Sequence, residues 1–410
     1  MNENWRYVPF CDAVEICDTL RKPINSKERA ARITGKTQEE LYPYYGATGQ
    51  VGYIDGYLTN GEYVLLGEDG APFLDMYAKK AYIISGKSWV NNHAHVLQSK
   101  SNNKFLCYYL NYFNYKGYVS GTTRLKLTQA QMKRIMVPVP SEDEQERVVA
   151  KIEELFSELD NGVETLKKTK QQLAVYRQAV LKEAFEGKFT AHIPCDVDLS
   201  WASEEETKSL PAIPTEWRYI ALSNLGDLGR GKSKHRPRND PKLFEGGKYP
   251  FLQTGEVKAA KQYITEYSKM YGEFGLQQSK LWPKGTLCIT IAANIAETAF
   301  LGIDACFPDS VVGFTPYEHI IPEYIKYFIE SQKLRLWAFA PATAQKNINL
   351  DTLENLIVPY CSVEEQQLVI AEIEARMTIC DSIEQTVDIA LQQAEAMRQS
   401  ILKKAFEGEL

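Results

Sequence analysis

The sequence has no uninterrupted apolar run of about 18 residues, so no segment reads as a membrane-spanning helix. It does not open on a secretory leader either, because MNENWRYVPF is polar and aromatic; a cytoplasmic protein without membrane association is expected. Cysteine occurs eight times (Cys11, Cys17, Cys107, Cys195, Cys288, Cys306, Cys361, Cys380) but never as C-x-x-C, which argues against a zinc ribbon and against a disulfide framework. Histidine is scarce. Of the five, His93 and His95 are two residues apart and would share one side of a strand, but no third ligand accompanies them, so no metal is expected. N-P-P-Y-like and D-P-P-Y-like methyltransferase motifs are absent, as is G-x-G-x-x-G after a strand, and no catalytic residue is assigned.

One stretch matches a nucleotide-binding pattern. Gly226 to Ser233 reads GDLGRGKS, which satisfies G-x-x-x-x-G-K-[ST]. Such a loop cradles phosphate only where it turns from a buried strand into a helix. Upstream, Tyr219, Ile220, Leu222 and Leu225 can form a strand, but downstream KHRPRNDPKLFEGG carries Pro237 and Pro241 and no apolar residue before Leu243. Without an apolar stripe, and with prolines removing amide donors, no helix starts there. An ATPase is therefore not indicated. What remains is a basic loop in which Arg230, Lys232, Lys234, Arg236 and Arg238 occur without an acid, a composition suited to binding a polyanion.

The net charge of −6 opposes that reading until it is divided by region. Residues 142–189 and 363–410 together carry −9 and residues 190–211 carry −4, leaving +7 on everything else. A basic footprint is thus available outside the acidic segments.

The chain is doubled. VPVPSEDEQ at 137–145 matches VPYCSVEEQ at 358–366, and YRQAVLKEAFEGK at 176–188 matches MRQSILKKAFEGE at 397–409. At that one offset and without a gap, 21 of the 53 residues from Val137 to Phe189 are identical to Val358 to Leu410, which chance does not produce. WRYV at 5–8 is echoed by WRYI at 217–220. Each half therefore runs from W-R-Y through a variable segment to a V-P boundary and then a helical segment.

In the helical segments apolar residues recur every seven positions: Ile152, Leu159, Leu166, Leu173, Val180, and Ile373, Cys380, Val387, Ala394, Ile401. That is a coiled-coil seam. Pro140 with Glu142, Asp143 and Glu144 marks the first helix start, and Gly187 and Gly408 mark the ends. Each helix is roughly 65 to 70 Å long at 1.5 Å per residue. Two amphipathic helices inside one globular core would be the plainer reading, but such helices rarely exceed about 25 residues. The variable segments are mixed α/β: YGATGQVGYIDGYLT, YVLLGEDG, AYIISGKSWVNNHAHVL and GTLCITIAANIAETAFLGI read as short strands, while 105–113 and 322–334 read as short helices. Asn294, in an apolar run, reads as a satisfied core polar group. The acidic, proline-flanked stretch between the halves reads as a linker.

On these residues the sequence resembles the specificity subunits of type I restriction-modification systems. The likeness rests on the doubled order, on ATAQKNINLDTLENLIVPYCSVEEQQLVI from Ala342 to Ile370, on the repeated RQAVLKEAFEGK and RQSILKKAFEGE, and on WVNNHAHVL at 89–97. The first repeat departs from the pattern, with GTTRLKLTQAQM where the second has ATAQKNINLDTL. The resemblance implies an α+β chain in which two mixed α/β target-recognition domains are separated by two long antiparallel coiled-coil helices, with an internal pseudo-two-fold repeat. Its expected divisions are a first recognition domain at 1–140, a helix at 141–189, a linker at 190–211, a second recognition domain at 212–361 and a C-terminal helix at 362–410. It further implies a non-catalytic DNA-reading subunit, each domain taking one half of a bipartite site in double-stranded DNA. The helices would set the spacer and dock two modification subunits, and restriction subunits would join the full complex. No cofactor is expected on this chain; S-adenosylmethionine and ATP belong on the partners of a type I adenine-N6 DNA methyltransferase and restriction endonuclease. The competing reading is a coiled-coil scaffold without DNA readout.

Candidate DNA contacts follow from residue type. Both variable segments place a basic loop after W-R-Y: Arg21, Lys22, Lys27, Arg29, Arg32 and Lys36 in the first, Arg230 to Arg238 in the second. Lys and Arg neutralise phosphate, and Arg also reads guanine O6 and N7. A second cluster is Lys87, Ser88, Asn91, Asn92 and His93, beside Trp89, where Asn is suited to adenine and Ser or Lys to phosphate. A merely solvated charged loop, or packing in the second cluster, is the alternative for each.

Overall fold

The W-R-Y motifs and the V-P boundaries, separate in the sequence, are partner strands in space. The computed structural model describes residues 4–195, 197–339 and 347–410, so Ala342 to Gln345 and Lys346 of the ATAQKNINLD motif lie outside the described residues. The chain divides into two units: 1–169 with 386–410, and 170–385.

In the first unit the strands are β1 (Tyr7–Pro9), β2 (Val14–Ile16), β3 (Tyr42–Gly46), β4 (Gly49–Ile54), β5 (Thr59–Asn60), β6 (Tyr63–Gly67), β7 (Ala81–Ile84), β8 (Lys87–Val90), β9 (Ala94–Ser99) and β10 (Met136–Pro138). β1 and β10 form an antiparallel ribbon with Tyr7 opposite Pro138. The others make two sheets, in the orders β2-β9-β6-β7 and β4-β3-β8-β5.

The second unit holds β11 (Arg218–Ala221), β12 (Gly226–Arg230), β13 (Tyr249–Phe251), β14 (Tyr263–Ile264), β15 (Lys269–Tyr271), β16 (Leu281–Trp282), β17 (Leu287–Thr290), β18 (Thr298–Leu301), β19 (Ala305–Cys306), β20 (Val311–Pro316) and β21 (Ile357–Tyr360). Here β11 and β21 are the ribbon, with Arg218 opposite Tyr360. The sheets run β12-β20-β17-β18-β14 and β15-β13-β19-β16. Strand for strand this is the first unit again, with β14 added at one edge. Even the one parallel pairing inside the smaller sheet recurs, as β3 with β8 and β13 with β19. The repeat therefore extends through the variable segments.

The predicted helices at 105–113 and 322–334 are Asn103–Tyr112 and Pro322–Ser331, the latter followed by Lys333–Phe339. The long helices are Glu142–Phe185 and Val363–Glu407. All ten seam residues are buried or half-buried. Within the first unit Arg147 donates to the Leu410 carbonyl at 3.2 Å and Arg398 pairs with Asp160; within the second, Arg177 pairs with Asp381 at 2.6 Å and Lys170 with Glu384 at 3.5 Å. Rising numbers on one helix meet falling numbers on the other, so the pair is antiparallel in both units. Gly187 and Gly408, at φ 73° and 84°, supply the left-handed turn that ends each helix.

The repeated A-F-E-G ends are plugs. Phe406 enters an aromatic box in the first unit, 5.3 Å from Phe105 and 6.2 Å from Trp5 between ring centres. Phe185 does the same in the second unit, 5.0 Å from Tyr324 and 5.2 Å from Phe328. Each helix thus ends in the core of one unit, which is why these residues are duplicated.

The stretch 190–211, expected as a linker, is anchored on the second unit at two places, 190–193 and 199–201. Glu365, fully buried, accepts from the Thr190 hydroxyl at 2.7 Å and the Ile193 amide at 3.1 Å, and His192 Nδ1 lies 3.1 Å away. Leu199 and Trp201 pack on the core, and Trp201 bridges to Ile220. Acidic composition concealed these apolar anchors.

Candidate nucleic-acid interface

In the first unit the basic residues are mounted on the helix Ser26–Ile33, whose start is capped by Asn25 accepting from the Glu28 amide at 2.9 Å. The helix lies against β4. Arg29 sits 4.9 Å over the Tyr44 ring and donates to the Val51 carbonyl at 3.3 Å. Gly52 is required beneath it, because a Cβ there would come within 3.3 Å of the guanidinium and φ is 150°. Arg32 stacks 4.8 Å over Trp89 and pairs with Asp55 at 2.5 Å. Lys87 sits 4.9 Å over Tyr57 and 6.0 Å from Tyr42. Lys22, Lys27 and Lys36 are exposed, Lys36 pairing with Glu40 at 3.2 Å. Val51, Tyr53 and Tyr57 are exposed beside them. A cationic surface interleaved with aromatic rings attracts phosphate and offers flat faces to bases. The hairpin residues Val51 and Tyr53 were not expected in the site; GATGQVGYID, a glycine-rich turn between aromatic strands, was the available signal.

Three predicted contacts are placed inward. Arg21 is held by Asp18 at 3.0 Å and by Glu68, and donates to the carbonyls of Asn92 at 3.3 Å and Ala94 at 3.1 Å. It braces the fold rather than facing a ligand. Ser88 lies fully buried in β8. Asn91 is buried too, its side-chain oxygen accepting from the His93 amide at 2.8 Å, so it shapes the loop that presents Asn92.

His93 and His95 do not act together. His93 is half-buried, with Asp69 at 3.4 Å and Arg124 at 3.4 Å. His95 is fully buried, Nδ1 facing Asp18 at 2.8 Å and Nε2 the Leu127 carbonyl at 3.0 Å, which occupies both ring nitrogens. Burial works against the Asp18 charge, but hydrogen bonding to His95 together with the Val96 amide and Arg21 outweighs it and lowers its pKa. Glu68 is likewise lowered against burial, by Arg21, His95 and Lys126.

In the second unit GDLGR is β12, and residues 231–240 after it form no helix. The Gly231 amide is spent on the Val311 carbonyl at 2.9 Å and the Lys234 amide on Gln278 at 3.1 Å, so there is no phosphate cradle. Arg230, Lys232, Lys234, Arg236 and Arg238 are all exposed. Arg236 bends back to the carbonyls of Ser233 at 2.5 Å and His235 at 2.9 Å. Arg230 and Arg238 converge on Asp309, a residue composition did not flag. Asn294, expected in a strand core, lies half-buried in the β17–β18 connection.

Among the described residues no helix is long and apolar enough to cross a membrane. The family model for the type I restriction modification DNA specificity domain matches this chain twice, over residues 2–174 and 214–393. The chain belongs to this family. Its relatives include a Haemophilus influenzae protein provisionally named a type I restriction enzyme specificity subunit, 26% identical over 94% of this chain and 91% of its own length. The EcoBI specificity subunit of Escherichia coli is 25% identical over 92% of this chain and 79% of its own. Among solved structures, a chain described under complex assembly and conformational transition of the type I R-M system aligns at TM-score 0.70 and 17% identity, covering 100% of this chain and 99% of that one. The HsdS subunit from Thermoanaerobacter tengcongensis aligns at 0.53 and 18% identity, over 100% and 98%. These two establish the fold, the family's mixed α+β architecture with long helices. The double family match coincides with the duplicated strand order, one match for each recognition module.

Proposed function

We propose that this chain is the non-catalytic, sequence-reading subunit of a type I restriction-modification complex, each recognition module taking one half of a bipartite site in double-stranded DNA. The observation that carries this is the pair of modules with the same strand order, β14 aside, in a chain of the DNA specificity family, each exposing basic side chains in the segment that follows β2 in the first and β12 in the second. Segments 1–140 and 212–361 are assigned to reading, and the helices at 141–189 and 362–410 to spacing and docking. Lys22, Lys27, Arg29, Lys87 and Asn92 are assigned to DNA in the first module, and Arg230, Lys232, Lys234 and Arg238 in the second. Two modification subunits, carrying S-adenosylmethionine for adenine-N6 methylation, are assigned to the long helices, whose exposed Val175, Leu368, Ile379, Ile389 and Met397 support a role in protein contact. Restriction subunits with ATP complete the complex.

The test is genome-wide mapping of N6-methyladenine in cells with the modification subunit, with and without this chain. A split motif, two defined halves around an unspecified spacer, is expected only when the chain is present. An assembled complex with no motif and no salt-dependent binding to duplex DNA would instead support the coiled-coil scaffold.

A further inference from the structure

We infer that Arg238, held by Asp309, reads a guanine in the half-site of the second module; this rests on the sequence-reading role proposed above and names one base within it. After β12 the chain passes flush against the β19–β20 connection: at Gly231 a Cβ would fall 2.3 Å from the carbonyls of Phe307 and Pro308. That approach brings two arginines to one aspartate. Arg230 donates through Nε and Nη2 to the Asp309 carbonyl, at 3.0 and 2.8 Å. Arg238 donates through Nη2 to Asp309 Oδ1 at 2.7 Å. They line a cleft of about 220 Å³ with Asn347, over an apolar floor of Ile291 and Ile348.

The chemistry of the cleft selects its ligand. A guanidinium has five N–H donors in a fixed plane, so a carboxylate on one side fixes where the remaining donors point. Arg238 and Asp309 are each about half exposed, at 50% and 43%, so the pair is fixed yet reachable. A phosphate is disfavoured, because the Asp309 carboxylate cancels one of the two positive charges and repels an anion at the same place. A neutral ligand edge with two adjacent acceptors fits, and O6 and N7 of guanine are that edge in the major groove. The connection between β17 and β18 that borders the cleft holds Ala293 and Ala296 at φ 63° and 60°, a backbone alanine adopts at a cost and which concentrates at binding sites.

The first module carries the same device at the same corner. There the loop after β6 supplies Asp69, which holds Arg124 Nε at 2.6 Å beside His93, on the β8–β9 connection that corresponds to β19–β20. An acid-held arginine therefore recurs although the residues supplying it do not align.

The experiment uses the full chain assembled with its modification subunits and a duplex bearing its mapped site. Each guanine of the second module's half-site, on either strand, is replaced in turn by 7-deazaguanine, which removes only the N7 acceptor. At one position the wild-type complex should bind about 5- to 100-fold more weakly. Arg238→Ala should bind the two duplexes within about two-fold of each other, since it leaves no donor for N7. Binding to random duplex reports whether the variant is folded. If the wild-type complex is indifferent at every guanine, if the half-site has none, or if Arg238→Ala keeps the discrimination, the inference is overturned while sequence reading stands. If the wild type prefers no sequence at all, both fall.

Discussion

The arginines and acids of this chain differ less in type than in what holds them. Arg21 and Arg29 lie in the same basic stretch, yet Arg21 closes a network of Asp18, Glu68 and buried His95, and Arg29 lies on Tyr44 at the surface. The first group is about stability, and its pH dependence has a definite sign. The pKa of Asp18 is lower in the folded chain than in the unfolded one, so its contribution is complete above the unfolded value and is lost as pH falls through the folded value. Asp18→Asn should destabilise the first unit by about 3 to 5 kcal/mol near neutrality, because it leaves buried partners uncompensated. The deficit should shrink in acid, where the wild type also loses the charge; urea unfolding between pH 7 and pH 3, with about 3.9 as the unfolded reference, measures it. Glu365, lowered against burial by Thr190, Ile193 and His192, predicts the same behaviour for Glu365→Gln in the second unit. The exposed cations are about binding. Lys27→Ala should reduce the slope of log affinity against log salt by about 1 without altering the sequence read. An unchanged slope would place Lys27 off the phosphate backbone.

Elements were legible where the physics leaves a periodic trace. A coiled-coil seam demands apolar residues at fixed spacing, and Ile373, Cys380, Val387, Ala394 and Ile401 announce it although their side chains differ. A sheet interior asks only for buried residues on alternate positions. β9 and β20 occupy the same place in their sheets, yet β9 pairs His95 with Leu66 and β20 pairs Val312 with Ile289, so the strand repeat left no identity to detect. The site was half legible for the same reason: a basic loop shows in composition, whereas Asp309 is 71 residues from Arg238 and only folding joins them. The A-F-E-G plugs turn that repeat into an energetic test. Phe406→Ala removes a fully packed ring from the first unit and should cost about 3 to 5 kcal/mol there. Phe185→Ala should cost a similar amount in the second. Hydrogen exchange resolved by segment distinguishes the two: each variant should loosen the amides of its own core, around Phe105 or around Tyr324, and leave the other protected. Equal loosening of both units by either variant would mean that the units do not hold their cores independently.

At the scale of the molecule, two features bear on modularity. Each recognition module closes on itself, since β1 with β10 and β11 with β21 bring its first and last strands together. Each also owns its core, with Trp5 and Phe105 in one cluster and Trp217 and Tyr324 in another. A segment whose ends meet in one ribbon and whose core lies largely inside it can be exchanged with little disturbance elsewhere, provided the ribbon and the aromatic box for the helix end are kept. Replacing residues 1–140 by the corresponding segment of a related chain that retains W-R-Y, Phe105 and the V-P boundary should therefore change one half of the methylated motif and leave the other half as it was. Methylome sequencing of cells carrying the chimera with the same modification subunit reads both halves at once. A motif altered in both halves would show that the modules read DNA jointly, which would leave each with its own core but not its own specificity.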